Sequence, residues 1–240
     1  MATQAAGLVL DLDGTLYRGD APLWAYALAM AEMAEPQAGR RLVERARAFL
    51  ADTRTLAPFR DPWAAMSALG AEAGLDWPSR DRAFLAVRDR ICRGELAVEV
   101  PAGVRELLRD LDPRVRVAVL TNSDEASARR LLAYLGLGRW AGHVEGAVRK
   151  PAGFAPAAVR QLGAATGRAV SVGDNHANDV LPARAMGMRT VHVRLAGAEG
   201  GQADLTVSRL EEAVPWLRRV LASLAAGEGE GEAAVPAAGG

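Results

Sequence analysis

Cysteine is nearly absent: Cys92 stands alone among 240 residues. No disulfide can form within the chain, and the helical, arginine-rich setting of Cys92 fits a reducing compartment. Lysine is as scarce, since Lys150 is the only one and every other member of the 29 basic residues is arginine. Net charge is absent too: 29 basic residues face 29 acidic ones without a basic run, which excludes the electrostatic footprint of a nucleic-acid or anionic-membrane partner. No apolar stretch reaches the length of a transmembrane helix. Asp11 and Asp13 interrupt the first hydrophobic run, so it does not read as a leader peptide, and a cytoplasmic location is expected. Of the three histidines, His143 and His192 read as structural and His176 as a solvent-facing loop residue.

What is plentiful is apolar residues, which make up 50% of the chain and suffice for a sizeable core. The run Leu8-Val9-Leu10 ends on Asp11-Leu12-Asp13 and breaks at Gly14-Thr15. Residues i and i+2 of a strand share a face, so an extended chain aims Asp11 and Asp13 together. Two carboxylates that close need a cation or a shared proton, and Mg²⁺, hard and oxygen-seeking, suits them. The same residues also suit an Asp-Gly turn between hairpin strands.

The pattern of strand followed by polar loop recurs along the chain. Val115 to Leu120 leads into Thr121-Asn122-Ser123, and Ala169 to Val172 leads into Gly173-Asp174-Asn175, with Asp179 close behind. Between them lies Arg149-Lys150-Pro151, where the proline biases Lys150 away from helix. A lysine placed at random among 29 basic positions would fall here about once in 29 trials, so the position demands a compact ammonium rather than a planar guanidinium. In open α/β sheets, loops at the carboxyl ends of the strands converge on one site.

These four segments, in this order, resemble the four motifs of the haloacid dehalogenase-like hydrolase superfamily. The resemblance implies Asp11 as nucleophile, Asp13 as general acid and base, and Mg²⁺ held by Asp11, the main-chain carbonyl of Asp13, and Asp174. Lys150 joins the catalytic set and the substrate-binding residues. Carbon–halogen-cleaving members usually lack the second aspartate, so Asp13 favours phosphoryl transfer. Thr121 and Asn122 precede a helix whose free N–H groups suit phosphate oxygens. Asn175 and Asp179 are expected to orient Lys150 or metal-bound water, and helix capping is an equally good use of them. Arg18 stands where members carry an acidic residue nearby, and it is assigned to an anionic substrate or to pairing with the cap. Arg54 and Arg60 are similar candidates.

The apolar period divides the chain. From Pro22 to Ile91 it is helical throughout, with pieces Leu23 to Ala34, Gly39 to Ala51, Asp61 to Gly74 and Ser79 to Arg93, punctuated by Pro36, Pro58, Pro62 and Pro78. Trp24, Trp63 and Trp77 are expected to pack this bundle, whose position matches a superfamily cap. From Pro101 strands and helices alternate: Gly103 to Leu111, Val115 to Leu120, Glu125 to Leu135, a short strand near Val144, Ala155 to Leu162, Val170 to Val172, Ala177 to Met186 and Thr190 to Val193. Ala203 to Val207 adds an edge strand and Leu210 to Leu224 a last helix. The expected fold is α/β, a Rossmann-like parallel sheet core with helices on both faces and an inserted helical-bundle cap. Residues 1–18 and 95–224 form the core and 19–94 the cap. The Gly/Ala/Glu-rich segment 225–240 is expected to be disordered.

The function expected is a Mg²⁺-dependent phosphatase hydrolysing a small phosphorylated metabolite through an aspartyl-phosphate. A phosphomutase of the same superfamily and a non-catalytic phosphometabolite-binding regulatory protein are the alternatives, with dehalogenation behind them.

Overall fold

The computed structural model describes residues 6–140 and 142–227. Its centre is a six-stranded parallel sheet of order β3-β2-β1-β4-β5-β6, built from β1 (Ala6–Leu10), β2 (Val115–Leu120), β3 (His143–Glu145), β4 (Ala169–Gly173), β5 (Arg189–Val193) and β6 (Leu205–Val207). β1, covered on both faces, is buried along its whole length, which is why its sequence is a continuous apolar run instead of an alternating one. Leu8 registers with Val117 on one side and Val170 on the other. The crossovers α5 (Val104–Arg109), α6 (Glu125–Tyr134), α7 (Phe154–Leu162), α8 (Leu181–Ala185) and the closing helix α9 (Leu210–Ala226) pack around the sheet. This is the expected Rossmann-like architecture.

Between β1 and α5 the chain inserts four helices: α1 (Asp20–Met33), α2 (Pro36–Ala51), α3 (Pro62–Glu72) and α4 (Trp77–Cys92). α1 lies against the other three. Three of the prolines that punctuate the insertion open its helices. Pro36, Pro62 and Pro78 sit in first turns, where the N–H they lack would be unpaired anyway. Carboxylates cap the same turns: Glu35 accepts from Gln37 N and Ala38 N, Asp61 from Ala64 N and Asp76 from Ser79 N. α2 and α4 therefore begin two to three residues before the expected Gly39 and Ser79.

Tyr26, Trp63 and Phe84 form an aromatic centre, with ring centroids 5.9 Å apart for Tyr26–Trp63 and 5.1 Å for Trp63–Phe84. Trp77 does not join it. It is 64% exposed beneath the Arg80 guanidinium, because the first turn of α4 projects beyond the bundle.

The chain leaves for the insertion at Arg18 and returns at Glu99, and these two residues exchange both main-chain hydrogen bonds at 3.0 and 2.9 Å. At the other end, α9 continues to Ala226 with Ala225 buried, two residues into the segment expected to be disordered. Apolar packing outlasts the Gly/Glu composition there, and Gly227 closes the helix in a left-handed conformation. The remainder of that segment, 228–240, lies outside the described residues. No helix among the described residues is long and apolar enough to cross a membrane.

Candidate active site

The strand order sets β1 between β2 and β4, so the chain runs outward in opposite directions from this point and leaves a crevice at the carboxyl ends. The loops after β1, β2, β3 and β4 converge there around a cavity of about 560 Å³ lined by Asp11, Asp13, Thr121, Asn122, Ser123, Lys150, Asp174, Asn175 and Asp179. Helices α3 and α4 of the insertion roof it with Asp61, Trp63, Arg80 and Phe84.

Lys150 is the centre of the charge network. Its ammonium, only 3% exposed, donates to Asp11 Oδ1 at 2.7 Å and to Asp179 Oδ1 at 2.6 Å. Burial alone would lower the pKa of this amine, but Asp11 and Asp179 override it and hold the ammonium above its ordinary range. The loop carrying it is strained, with Ala147 and Arg149 in left-handed backbone at φ +49° and +58°. Asn122 holds that loop, its Oδ1 accepting the Lys150 N–H at 2.6 Å and its Nδ2 donating to the Lys150 carbonyl at 3.4 Å. Placing the lysine is thus the visible work of the Asn122 side chain.

The carboxylates beyond the end of β1 divide into two groups, with Asp11 still tied to β4 through its N–H on the Val172 carbonyl at 2.9 Å. Asp11, Asp174 and Asp179 each offer an oxygen within 4.8 Å of the others. Asp11 Oδ2 accepts from the Thr15 hydroxyl at 3.1 Å, while Asp174 Oδ2 is buried without a partner among the described residues. Burial raises the Asp174 carboxyl well above its usual range, with Asp61, Asp11 and Asp179 adding to the effect, and Asp179 is raised to about 7 by burial and Asp11 against the pull of Lys150. Carboxyls that hold one another's protons on mark a place short of positive charge, so this cluster suits a divalent cation bound through oxygen. His192, fully buried and lowered to about 4 by that burial, is neutral at pH 7 and hydrogen-bonds the Asp174 carbonyl from Nε2 at 3.2 Å.

Asp13 looks the other way. Its Oδ1 accepts from the Tyr17 hydroxyl at 2.6 Å and from Arg88, and its Oδ2 from the Ser123 hydroxyl at 2.8 Å and Thr121 Oγ1 at 3.5 Å. Among side-chain atoms, Asp13 is therefore outside the acidic cluster that Asp11 and Asp174 share. Burial, with the Asp13 charge beside it, raises the Tyr17 phenol well above its ordinary value and keeps it a donor.

Asn175 turns toward the insertion. Its Nδ2 donates to Asp61 Oδ2 at 2.7 Å and its Oδ1 accepts from Asn178 N, a capping bond, so Asp179 and not Asn175 is the residue touching Lys150. Arg18 is absent from the cluster. Its guanidinium is forked onto Glu211 at 2.7 and 3.2 Å and reaches Glu99 at 3.3 Å, so its charge is already matched where it borders a neighbouring cavity of about 370 Å³. Arg60 borders the main cavity. Arg54 instead pairs with Asp52 on an exposed turn. His176 lies half-buried against His192, with ring centroids 5.4 Å apart.

Four contributors were not legible as such. Tyr17 and Ser123 follow Asp13 and Thr121 at short spacing and are polar in otherwise ordinary loops. Asp61 reads as a helix cap, which it also is. Arg88 is one arginine among many, and only its place beside the apolar series Ala83, Val87 and Ile91 distinguishes it.

A Rossmann-like sheet with a helical insertion after its first strand, and with a buried Asp–Lys–Asp network at the strand ends, defines a class of hydrolase. The sequence model of the haloacid dehalogenase-like hydrolases matches residues 6–187, and the chain belongs to that family. A search of curated proteins gives no match. Among solved structures, a HAD phosphatase of Thermococcus onnurineus is similar at 23% identity and TM-score 0.56, covering 88% of this chain and 97% of its own. A predicted phosphoglycolate phosphatase of Haemophilus somnus is similar at 16% identity and TM-score 0.59, covering 90% and 99%. A Bacillus subtilis HAD-hydrolase, described as bound to magnesium and as showing interdomain movement, is similar at 14% identity and TM-score 0.57, with the same coverage.

Proposed function

We propose that this hydrolase is a Mg²⁺-dependent phosphatase that acts on a small phosphorylated metabolite through an aspartyl-phosphate. The observation that carries the reading is Lys150 bridging Asp11 and Asp179 with Asp174 alongside. Asp11 and Asp174, with the Asp13 main chain, would hold the cation, which supplies positive charge for the phosphoryl oxygens. The unpartnered Asp174 Oδ2 fits that use.

The remaining chemistry belongs to the chain. A carboxylate approaching a phosphate dianion meets repulsion, and the Lys150 ammonium, already on Asp11 Oδ1, offsets it. Asp11 attacks phosphorus in line and the leaving oxygen takes a proton from Asp13; in the second half, Asp13 takes a proton from the water that releases phosphate. Asp179 and Asn122 keep Lys150 in place, one through the ammonium and the other through the main chain. Thr121 offers its hydroxyl beside Asp13. Residues 1–18 and 95–224 serve as the catalytic core, and 19–94 as a cap that excludes water. The magnesium-bound, domain-moving B. subtilis relative and the phosphatase among the relatives support the same reading.

Phosphate release from an aryl phosphate, with and without chelator, tests the activity. Hydrolysis should vanish with chelator and return with Mg²⁺, and Asp11→Asn should abolish turnover and phospho-enzyme together. Mg²⁺ should also raise the melting temperature of the wild type, by up to about 2.7 kcal/mol of stabilisation at a hundredfold excess over Kd, and should lose that effect in Asp174→Asn. Full activity in excess chelator, or a phospho-enzyme in Asp11→Asn, would refute the assignment.

A further inference from the structure

Four donors converge on Asp13, and three of them, Tyr17, Thr121 and Ser123, sit on loops of the sheet end. The fourth, Arg88, arrives from α4 of the inserted bundle, 75 residues away in the chain. It is 1% exposed, with its guanidinium 4.9 Å from the Phe84 ring centroid and 5.9 Å from that of Tyr17. Its Nε and Nη1 are buried without a hydrogen-bond partner among the described residues. A buried guanidinium is costly unless its charge is matched, and the carboxylate that matches it is Asp13. Its Nη2 donates also to the Ser123 hydroxyl at 3.2 Å, and that hydroxyl donates in turn to Asp13 Oδ2 at 2.8 Å. Guanidinium, hydroxyl and carboxylate therefore form one unit.

An ion pair that merely fastened α4 to the sheet would serve on any core carboxylate. The exposed Arg130–Asp89 pair, at 2.6 Å between α6 and α4, already does that. Arg88 instead lands on the residue that the proposed function charges with proton transfer. It takes the oxygen already held by Tyr17 and leaves Oδ2 with two neutral hydroxyls, one of them at 3.5 Å.

We infer that Arg88 is a positioning residue for Asp13: seating α4 on the core delivers the guanidinium that fixes Oδ1, so the proton-transfer group is set only while the insertion is closed. Oδ2 is then the oxygen that exchanges the proton. This rests on the phosphatase reading and adds to it a means by which closure and chemistry are coupled.

The test is steady-state kinetics of the full chain on glycerol phosphate, whose alkoxide needs a proton, and on 4-nitrophenyl phosphate, whose leaving group does not. The variants are Arg88→Met, Arg88→Lys, Asp13→Asn and the Arg88→Met/Asp13→Asn double. Arg88→Met should lower kcat for glycerol phosphate by roughly 10–100-fold, the scale of a misplaced catalytic group, with little change in KM. On 4-nitrophenyl phosphate kcat/KM, which reports only the steps up to loss of the leaving group, should change by less than about threefold, because that step needs no proton, whereas kcat there also carries the water step that Asp13 serves. Arg88→Lys should recover part of the loss, and the double variant should be no slower than Asp13→Asn alone. Equal loss of kcat/KM on both substrates, additive loss in the double variant, a raised KM at unchanged kcat, or no loss in either Arg88 variant would overturn the inference while leaving the phosphatase standing. Should wild type hydrolyse neither substrate, both readings fall.

Discussion

Amine-directed acylation probes the buried charge network directly, because the chain has one lysine and the reagent's only other target is the α-amino group. An ordinary lysine near pKa 10.4 is about 1% free amine at pH 8.4. Lys150, raised above that range by Asp11 and Asp179, offers less. Its ammonium is also enclosed and must leave two ion pairs, at 2.7 and 2.6 Å, before a reagent can reach it. Breaking a buried pair costs about 3–5 kcal/mol, which at 1.4 kcal/mol per decade is a slowing of roughly 10²–10⁴-fold. The assay is a timed pulse with an acetylating reagent on the native chain and on the chain in urea, with mass spectrometry reading occupancy at residue 150. The native rate should fall below the urea rate by at least that factor, and Asp179→Asn should return part of it. Native Lys150 labelling within about tenfold of the unfolded rate would show that the network does not hold the ammonium as described.

Lys150→Met leaves Asp11 and Asp179 without their shared cation; it should cost about 3–5 kcal/mol, lower the melting temperature by roughly 10 °C and abolish turnover, and Lys150→Arg should not restore activity. A melting temperature within 2 °C of wild type, as an order-of-magnitude threshold, would contradict it. His192 takes up its proton near 6.5 when unfolded but only near 4 when native, so its contribution is complete above 6.5 and is lost as pH falls toward 4, by at most roughly 3 kcal/mol. Urea titrations should therefore show a shallower loss between pH 6.5 and 4 in His192→Gln than in wild type, and identical slopes would refute the assignment. At Gly14, with φ +89°, a Cβ would stand 2.0 Å from Asp174 Oδ2, so Gly14→Ala should lower stability and erase the Mg²⁺-induced rise in melting temperature. An unchanged Mg²⁺ response would mean that Asp174 is free to move aside.

The centre of the sheet was readable because β1 is a short, continuous apolar run, and both it and β2 end abruptly on polar loops, at Leu10–Asp11 and Leu120–Thr121. Lys150 was readable because arginine had taken every other basic position. The prolines misled at Pro36 and Pro78, where the same residue that ends a helix also begins one, and only the capping carboxylate before it decides which. The tryptophans carried no such mark: Trp63 and Trp77 have the same spacing logic, and which one is covered depends on where α4 starts. Arg88, Asp61 and Tyr17 were hidden for a different reason. The partners of Arg88 and Asp61 lie across the boundary between the insertion and the sheet, and no local pattern in the chain expresses a contact made over 75 residues or more, while Tyr17, only four residues from Asp13, reads as an ordinary aromatic of the loop.

The paired main-chain bonds between Arg18 and Glu99 have a mechanical consequence. The outgoing and returning chains cross side by side, roughly 5.5 Å apart as directly bonded partners are, so they act together as one pin instead of two independent tethers. A body hung from such a pin swings easily about one axis and resists twisting about the others. In this arrangement α4 brings Arg88, and the first turn of α3 brings Asp61, over the carboxyl ends of the strands. The pin also isolates the sheet from whatever hangs on it: β1 finds Val115 and Val170 as neighbours without using any residue of the bundle. The register of β1 thus owes nothing to the helices beyond Arg18, while the bundle still meets the core where Arg130 pairs with Asp89 and where the Glu199 N–H donates to the Phe59 carbonyl.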